Sequence, residues 1–199
     1  MNGEQYFERT PSSTEPGKTF DWNLDGRHVR VDTAAGVFSR RGLDDGTDYL
    51  IERAATPPSH GTALDLGCGW GALAIALATR APALRVWAVD INERAVALTS
   101  QNAARNGLTN ITSVVADEMP ADITFDVIWS NPPIRIGKRQ LHELLDTWLN
   151  RLSTNGEAWL VVSKHLGSDS LATWLTGQGW ICERVGSRHG YRLLRVTRA

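Results

Sequence analysis

The sequence predicts a doubly wound α/β fold, in which helices cover both faces of a mainly parallel sheet. Two observations support this prediction. Short apolar runs alternate along the chain with longer segments whose apolar residues recur at helical spacing. The apolar run at residues 62–66 passes into glycines at alternate positions, Gly67, Gly69 and Gly71, and then into an Ala- and Leu-rich stretch. A strand, a tight turn and a helix N-terminus in this order are typical of the ligand-binding edge of such a sheet.

Composition and charge exclude several classes of protein. The chain has 199 residues, enough for one domain with a sizeable core, and its formal net charge of −1 provides no global basic field for nucleic acid. Cys68 and Cys182 show no metal-ligand spacing, which predicts a reducing compartment and no structural metal. We find no signal-peptide pattern and no apolar run long enough to cross a bilayer. We therefore expect a cytoplasmic protein without a membrane partner.

The chain is predicted to divide into an N-terminal extension, residues 1–60, and a core, residues 61–199. The extension contains, in order, an irregular lead-in at 1–19, a β-hairpin at 20–24 and 28–31, a loop at 36–47 and a helix at 48–55. The hairpin prediction rests on alternating apolar and polar residues around Asp25-Gly26, a pair that favours a turn with positive φ.

The core is predicted to alternate strands and helices. Apolar runs predict strands at 62–66, 84–90, 111–115, 125–129 and 157–162, followed by closing strands at 180–182 and 191–196. Helical patterns occupy the intervals, at 72–80, 92–104, 138–152 and 171–175. This order predicts a mainly parallel sheet with an antiparallel closing strand.

The acidic residue before the glycine turn indicates which ligand the turn suits. Dinucleotide-binding folds place a pyrophosphate against the backbone N–H groups of this turn. Asp65 stands two residues before Gly67, where it would repel a phosphate and attract a cationic ligand with a free amino group. S-adenosylmethionine has this chemistry, because it carries a sulfonium and an α-amino group beside its adenosine. A NAD-type site and an incidental Gly-rich turn are the alternatives.

Residues after the next two strands are candidates for binding a nucleoside. Asp90 ends the strand at 84–90, where a carboxylate can accept both ribose hydroxyls; the alternative is a helix N-cap or a surface acid. Ile91 can cover one face of an adenine ring. Asp117 follows the strand at 111–115 and can accept from the adenine amino group, unless it is an exposed loop acid.

The residues after the strand at 125–129 predict the chemistry. They are Asn131, Pro132, Pro133 and Ile134. A planar aromatic amine is a poor nucleophile because its lone pair is delocalised into the ring. The Asn131 side-chain oxygen and the Pro132 carbonyl can each accept one N–H, which favours a pyramidal nitrogen whose lone pair faces a methyl donor. Because two prolines fix φ, these acceptors are preorganised. The alternative is that the prolines only end the strand and have no role in catalysis.

The combination of motifs resembles class I methyltransferases that act on amino groups. The resemblance rests on the glycine turn with its acid, on the acids after the next two strands and on the Asn-Pro-Pro-Ile segment. Further motifs are similar to those of the methyltransferase small domain family: Gly36-Val37-Phe38-Ser39, Leu43-Asp44-x-Gly46-Thr47 and Ser130-Asn131-Pro132-Pro133-Ile134-Arg135-x-Gly137-Lys138. Two others resemble its short bacterial and archaeal members: Tyr6-Phe7-x-x-x-Pro11 and Lys164-x-x-Gly167-x-x-Ser170.

The resemblance implies a Rossmann-like class I methyltransferase fold that binds S-adenosylmethionine and methylates guanine N2 of small-subunit ribosomal RNA. The cofactor-binding residues that it implies are Asp65, Gly67, Cys68, Gly69, Gly71, Asp90, Ile91, Asp117, Asn131 and Thr47. The implied catalytic residues are Asn131, Pro132, Pro133 and Ile134. Candidates for substrate binding are Phe38, Arg40, Arg135 and Lys138. The implied partner is ribosomal RNA or the small ribosomal subunit.

Several alternatives stay open at this point. Ile134 stands where many related enzymes have Tyr or Phe, which favours guanine over adenine N6 or a protein glutamine amide as the acceptor. A non-catalytic cofactor-binding module and a NAD-type oxidoreductase are the other candidates, and Asp65 disfavours the latter. The loop at 36–47 either lies over the methionine end of the cofactor or is a connector whose Phe38 belongs to the core. Basic residues close to Asn131 are candidates for phosphate contacts, whereas those elsewhere are expected to be solvated.

Overall fold

A computed structural model describes residues 17–39, 42–133 and 136–199. In chain order, strands β1 to β9 are Thr19–Leu24, Arg27–Asp32, His60–Leu66, Ala83–Asp90, Ile111–Val115, Phe125–Ser130, Leu152–Ser163, Trp180–Arg188 and Tyr191–Arg198. Helices α1 to α5 are Asp45–Arg53, Ala72–Arg80, Glu93–Arg105, Lys138–Leu149 and Ser168–Gly177. Within the described ranges, no helix combines the length and the apolar character that a membrane crossing needs.

Seven strands form one sheet in the order β5-β4-β3-β6-β7-β9-β8. The first five in this order are parallel, and β9 pairs antiparallel with both β7 and β8. The strand order reverses between β3 and β6, which creates the crevice where ligands bind in open α/β sheets. The predicted fold class is therefore confirmed. So is the N-terminal hairpin, since β1 and β2 form a separate antiparallel pair.

Two hydrophobic cores lie against the sheet, one on each face. Helices α1, α2 and α3 and the hairpin contribute to the first core, and α4 and α5 contribute to the second. Ala63 and Leu64, successive residues of β3, belong to different cores, as expected for strand side chains that point alternately to opposite faces. Because the hairpin shares the first core with the sheet, the hairpin packs directly on it. The boundary at residue 60 stays a prediction.

Two asparagines, Asn102 in α3 and Asn106 at its C-cap, attach the hairpin to the core through their side-chain amides. The Asn102 oxygen accepts from Asp32 N at 2.8 Å, and its nitrogen donates to the carbonyls of Asp32 and Trp70, both at 2.9 Å. Asn106 binds the backbone N–H and carbonyl of Arg30 in the same way, at 3.0 and 2.8 Å. These amides form hydrogen bonds with the backbone of β2 like those that a neighbouring strand would form. Asn102 also links the hairpin to the glycine turn through the Trp70 carbonyl.

The predicted start of the first helix is wrong. Residues 36–47 were expected to form a loop before a helix at 48–55, whereas α1 begins at Asp45. Asp44 is its N-cap, and a carboxylate oxygen of Asp44 accepts from Thr47 N at 2.9 Å. Gly46 lies inside this helix. A side chain would not fit there, because a Cβ would approach the ring of Tyr191 to 2.7 Å. This glycine permits close packing and does not mark a loop.

The predicted end of the third core helix, α4 of the structure, is also wrong. The helical pattern was extended to residue 152, but α4 ends at Leu149 and Leu152 begins β7. Arg151 already pairs with the sheet, because its carbonyl accepts from Phe125 N at 2.8 Å. Leu152 is buried in the second core, so it continues the apolar face of the helix into the strand that follows.

Candidate active site

Seven of the residues predicted from the sequence line one cleft at the carboxyl ends of the strands. They come from the loop before α1, from α1, from the end of β3 and its glycine turn, and from the residue after β6: Phe38, Thr47, Asp65, Gly67, Cys68, Gly69 and Asn131. The cleft lies where the strand order reverses between β3 and β6. Asp44, which the sequence analysis did not assign to the site, also lines it.

The glycine turn brings bare backbone to the edge of the cleft. Gly67, Gly69 and Gly71 have φ of 77°, 56° and 94°, a left-handed region that favours glycine. Gly71 is the most constrained of the three, because a Cβ there would approach Thr99 Cγ2 to 2.9 Å. The turn is tied to β4, since the N–H groups of residues 67 and 68 both donate to the Val89 carbonyl.

Asp65 forms the floor of the cleft and is 1% exposed. One carboxylate oxygen accepts from Ala74 N in the first turn of α2 at 2.9 Å, which partly neutralises its charge. The other oxygen is buried and has no hydrogen-bond partner among the described residues. Burial, together with the charge of Asp90, raises the pKa of Asp65 to about 8. A buried acceptor without a donor suits a cationic amino group, so this residue fits the predicted cofactor.

Asp90 holds the glycine turn at its other end. Its two carboxylate oxygens accept from Gly69 N and from Asn92 N, each at 3.0 Å. Burial raises the pKa of Asp90, and the hydrogen bonds from the backbone act in the opposite direction. Each oxygen keeps a further lone pair that can accept a ribose hydroxyl. Ile91, the next residue, is exposed beside it.

Several predicted residues lie outside the lining of the cleft, among them Gly71, Asp90 and Ile91. Asp117 is exposed in a short 3-10 turn, Ala116–Glu118, directly after β5. Lys138 is exposed at the first position of α4. Pro132 is buried and Pro133 half-buried after β6. Three predicted residues, Arg40, Ile134 and Arg135, fall outside the part of the chain that the structure describes, as do Tyr6, Phe7 and Pro11 of the quoted motifs.

The side chain of Asn131 is held in one orientation. Its nitrogen donates to a carboxylate oxygen of Asp44 at 2.7 Å and to the hydroxyl of Thr47 at 3.0 Å. No hydrogen bond in the described ranges uses its side-chain oxygen. The amide therefore offers an acceptor, rather than a donor, to a ligand in the cleft.

Sequence reasoning missed two residues of the hydrogen-bond network around Asn131, Asp44 and Tyr191. Asp44 accepts from the backbone and the hydroxyl of Thr47 and from Asn131 on one oxygen, and from the hydroxyl of Tyr191 at 3.0 Å on the other. The spacing of Asp44 and Thr47 matches a helix N-cap and could have identified the first. No signal in the sequence connects Tyr191 to this site.

The exposed Phe38 lies at the mouth of the cleft. It is 48% exposed and belongs to the lining, so it is not a core residue. This position excludes the expectation that Phe38 merely anchors a connecting loop in the core. It is compatible with a contact to a flat ligand.

Comparison with known proteins identifies the family. The sequence model for the methyltransferase small domain matches residues 28–195. The chain belongs to this family. It is 34% identical to the Bacillus subtilis protein YbxB over 98% of both chains. It is also 30% identical to the Salmonella typhi ribosomal RNA small subunit methyltransferase C, over 97% of this chain and 57% of that protein.

One solved structure has a similar fold. It is the 16S rRNA N2-guanine methyltransferase (RsmC) of T. thermophilus, in complex with AdoMet and guanosine, with a TM-score of 0.78 and 22% identity. The similarity covers 95% of this chain and 52% of that one. The chain thus spans about half the length of these two methyltransferases. Membership of the methyltransferase small domain family confirms the predicted fold and the predicted cofactor, S-adenosylmethionine.

We expect replacement of Asp90 by alanine to weaken S-adenosylmethionine binding about 10- to 100-fold, since a hydrogen bond to a charged group contributes about 1.5–3 kcal/mol. Titration calorimetry measures the affinity. Asp122→Ala is a matched control, because Asp122 is exposed and precedes β6 at the opposite edge of the sheet. An unchanged affinity of Asp90→Ala would remove Asp90 from the site.

Proposed function

We propose that the protein methylates an exocyclic amino group, namely guanine N2 of small-subunit ribosomal RNA. The observation that carries this proposal is the amide of Asn131 in the lining of the cleft: its nitrogen donates to Asp44 and Thr47, which leaves its oxygen to accept. S-adenosylmethionine, when bound, supplies an electrophilic methyl group on its sulfonium. The residues of this chain bind and orient the methyl donor and activate the amine.

Asn131 and Pro132 raise the nucleophilicity of the amine. The Asn131 oxygen accepts one N–H of the exocyclic amine, and the Pro132 carbonyl accepts the other. Two hydrogen bonds from one nitrogen favour its pyramidal form, in which the lone pair is available for in-line attack on the methyl carbon. The nitrogen forms its new bond to that carbon as the carbon–sulfur bond breaks, a neutral thioether leaves, and the methylated nitrogen gives up one proton to water. Preorganised dipoles of this kind stabilise the positive charge that develops on the nitrogen during transfer. Holding the two reacting groups together supplies a further part of the rate, about 7–11 kcal/mol of the barrier in well-aligned systems.

The remaining residues of the cleft bind and orient the methyl donor. The free oxygen of Asp65 receives its amino group, and Asp90 receives the ribose hydroxyls. The glycine turn allows the ligand to approach the backbone, with Cys68 between two of its glycines, and Thr47 lies beside Asn131. Ile91 covers one face of the adenine, and Asp117, in the turn after β5, accepts from its amino group.

Similarity to two ribosomal RNA methyltransferases, one of them solved with guanosine, supports guanine as the acceptor. Ile134 after the prolines supports the same choice. A guanine in duplex RNA must leave its stack to reach Asn131, so a loop or a locally opened segment is the expected target. Phe38 at the mouth of the cleft provides a surface for the extruded base, and Arg40, Arg135 and Lys138 are the proposed phosphate contacts. A ribosomal substrate implies a cytoplasmic protein.

The test is methyl transfer from isotopically labelled S-adenosylmethionine to free small-subunit RNA and to assembled small subunits, prepared from cells that lack the gene. We expect the label in N2-methylguanosine after nucleoside digestion and mass spectrometry. Label in N6-methyladenosine or in a protein glutamine would replace guanine by one of the two alternative acceptors. Tight donor binding without transfer to any of these would favour a non-catalytic module.

A further inference from the structure

We propose that Asp44 is a positioning residue that determines which end of the Asn131 amide faces the substrate. This inference rests on the proposed function, in which the Asn131 oxygen accepts from the target amine. Asp44 lines the same cleft, and its role in the reaction is exerted through the amide that it binds.

The argument begins with the donors and acceptors that meet at Asp44. An ionised carboxylate can only accept hydrogen bonds, whereas an asparagine amide has an accepting oxygen and a donating nitrogen. The 2.7 Å contact between Asp44 and Asn131 is therefore favourable only when the nitrogen faces the carboxylate. A rotated amide would place two acceptor oxygens against each other and would present a donor to the target amine.

Thr47 supports the same orientation. Its hydroxyl donates to Asp44 at 2.9 Å, so its lone pairs remain free to accept from the Asn131 nitrogen at 3.0 Å. The three side chains thus form a ring of hydrogen bonds in which every proton has one consistent place. With Asp44 ionised, the reversed amide would break two of these three bonds.

Asp44 is itself fixed from two separate elements. As the N-cap of α1 it accepts from Thr47 N at 2.9 Å, and its second oxygen accepts from Tyr191 of β9 at 3.0 Å. The ring of Tyr191 reaches this position because Gly46 has no Cβ. The carboxylate of Asp44 is therefore held by the first turn of α1 and by a tyrosine of β9. Held in this way, it fixes the orientation of the Asn131 amide.

Three variants separate orientation from helix capping. Asp44→Ser keeps a capping hydroxyl for α1 but is too short to reach both Asn131 and Tyr191. Asp44→Asn keeps an acceptor oxygen toward Asn131 and Thr47, with its nitrogen toward the Tyr191 oxygen. Tyr191→Phe removes one hydrogen bond to Asp44 and leaves the oxygen that faces Asn131 untouched. Asp45→Ser is the matched control, since Asp45 is exposed beside the cap.

We expect Asp44→Ser to lower kcat about 10- to 100-fold, the range of one hydrogen bond to a charged group, with donor affinity and unfolding temperature close to wild type. Asp44→Asn should recover most of the rate, and Tyr191→Phe should lose less than Asp44→Ser. The inference is overturned if Asp44→Ser keeps the wild-type kcat, or if Asp44→Asn is impaired as strongly as Asp44→Ser. Should Asp44→Ser fail to fold, Asp44→Asn and Tyr191→Phe decide the question.

A second readout does not depend on catalysis. In wild type, the side-chain amide protons of Asn131 should show a separate NMR signal with slow solvent exchange, because one of them is bound to a carboxylate. Asp44→Ser should abolish this protection, and Asp44→Asn should keep it. If the wild type methylates no nucleoside but Asp44→Ser still abolishes the protection, the proposed function is rejected and the positioning role of Asp44 is retained. Retained protection in Asp44→Ser would reject the positioning role whatever the activity.

Discussion

Replacement of Asn131 by alanine is expected to lower the single-turnover rate of methyl transfer about 100- to 1000-fold, with little change in the affinity for S-adenosylmethionine. Loss of one preorganised polar group that stabilises developing charge has an effect of this size. The side chain binds only Asp44 and Thr47 within the described ranges, so its removal leaves Asp65, Asp90 and the glycine turn in place. Rapid-quench kinetics and titration calorimetry give the two quantities separately.

Asn155→Ala provides the control for this substitution. Asn155 is exposed in β7, before the strand reaches the edge that carries the cleft, and removal of its amide should change neither quantity. An Asn131→Ala protein that loses cofactor affinity and rate to the same degree would show that Asn131 has a structural role instead. The proposed chemistry would then lack its main acceptor.

The parallel sheet was predictable because each of its strands has a local signal. The strands from β3 to β6 are apolar runs that end in turns or polar residues, and the segments between them have helical periodicity. The glycine turn adds a short-range constraint, since the positive φ at Gly67, Gly69 and Gly71 follows from residues that are adjacent in sequence. The fold class depends on these local features, so it could be predicted without tertiary information.

The errors at α1 and α4 arise where a distant contact overrides a local pattern. Gly46 indicates a loop by composition, but it is a helical residue whose missing side chain makes room for Tyr191, far along the chain. Leu152 continues a helical stripe, but the backbone of Arg151 is already paired with Phe125. Neither contact can be derived from the neighbouring sequence.

The same reason explains what was missed in the site. Asp65, Asp90 and Asn131 follow or end strands, and parallel strands bring their carboxyl ends to one edge, so their proximity could be predicted. Asp44 reaches Asn131 only because α1 packs beside that edge, and Tyr191 reaches Asp44 only because β9 runs antiparallel to β7. Asp117 illustrates the opposite case, because it follows a strand as predicted but is exposed in the turn after β5, whereas Asp90 binds the glycine turn.

Replacement of Asp65 by asparagine is expected to stabilise the ligand-free protein at alkaline pH. The pKa of Asp65 is raised from 3.8 to about 8, so the folded protein keeps a proton that the unfolded chain loses near pH 4. The stability that this proton contributes is fully present below about pH 4 and is lost as the pH rises toward 8. Asparagine does not ionise, so at pH 9 the variant should be about 1–3 kcal/mol more stable than wild type, with a much smaller difference at pH 4. Urea denaturation at both pH values measures this.

The same substitution should weaken S-adenosylmethionine binding about 100-fold or more, because a buried ammonium would lose the carboxylate that pairs with it. Binding to wild type at pH 7 should release close to one proton, since the amino group favours the ionised form of Asp65. Calorimetry in buffers of different ionisation enthalpy detects this proton, and Asp65→Asn should not release it. If Asp65→Asn is more stable at pH 9 but binds the donor more weakly, the buried carboxylate of Asp65 contributes to ligand binding and destabilises the ligand-free fold. An Asp65→Asn protein that is less stable at pH 9 and binds the donor normally would contradict both halves of this argument.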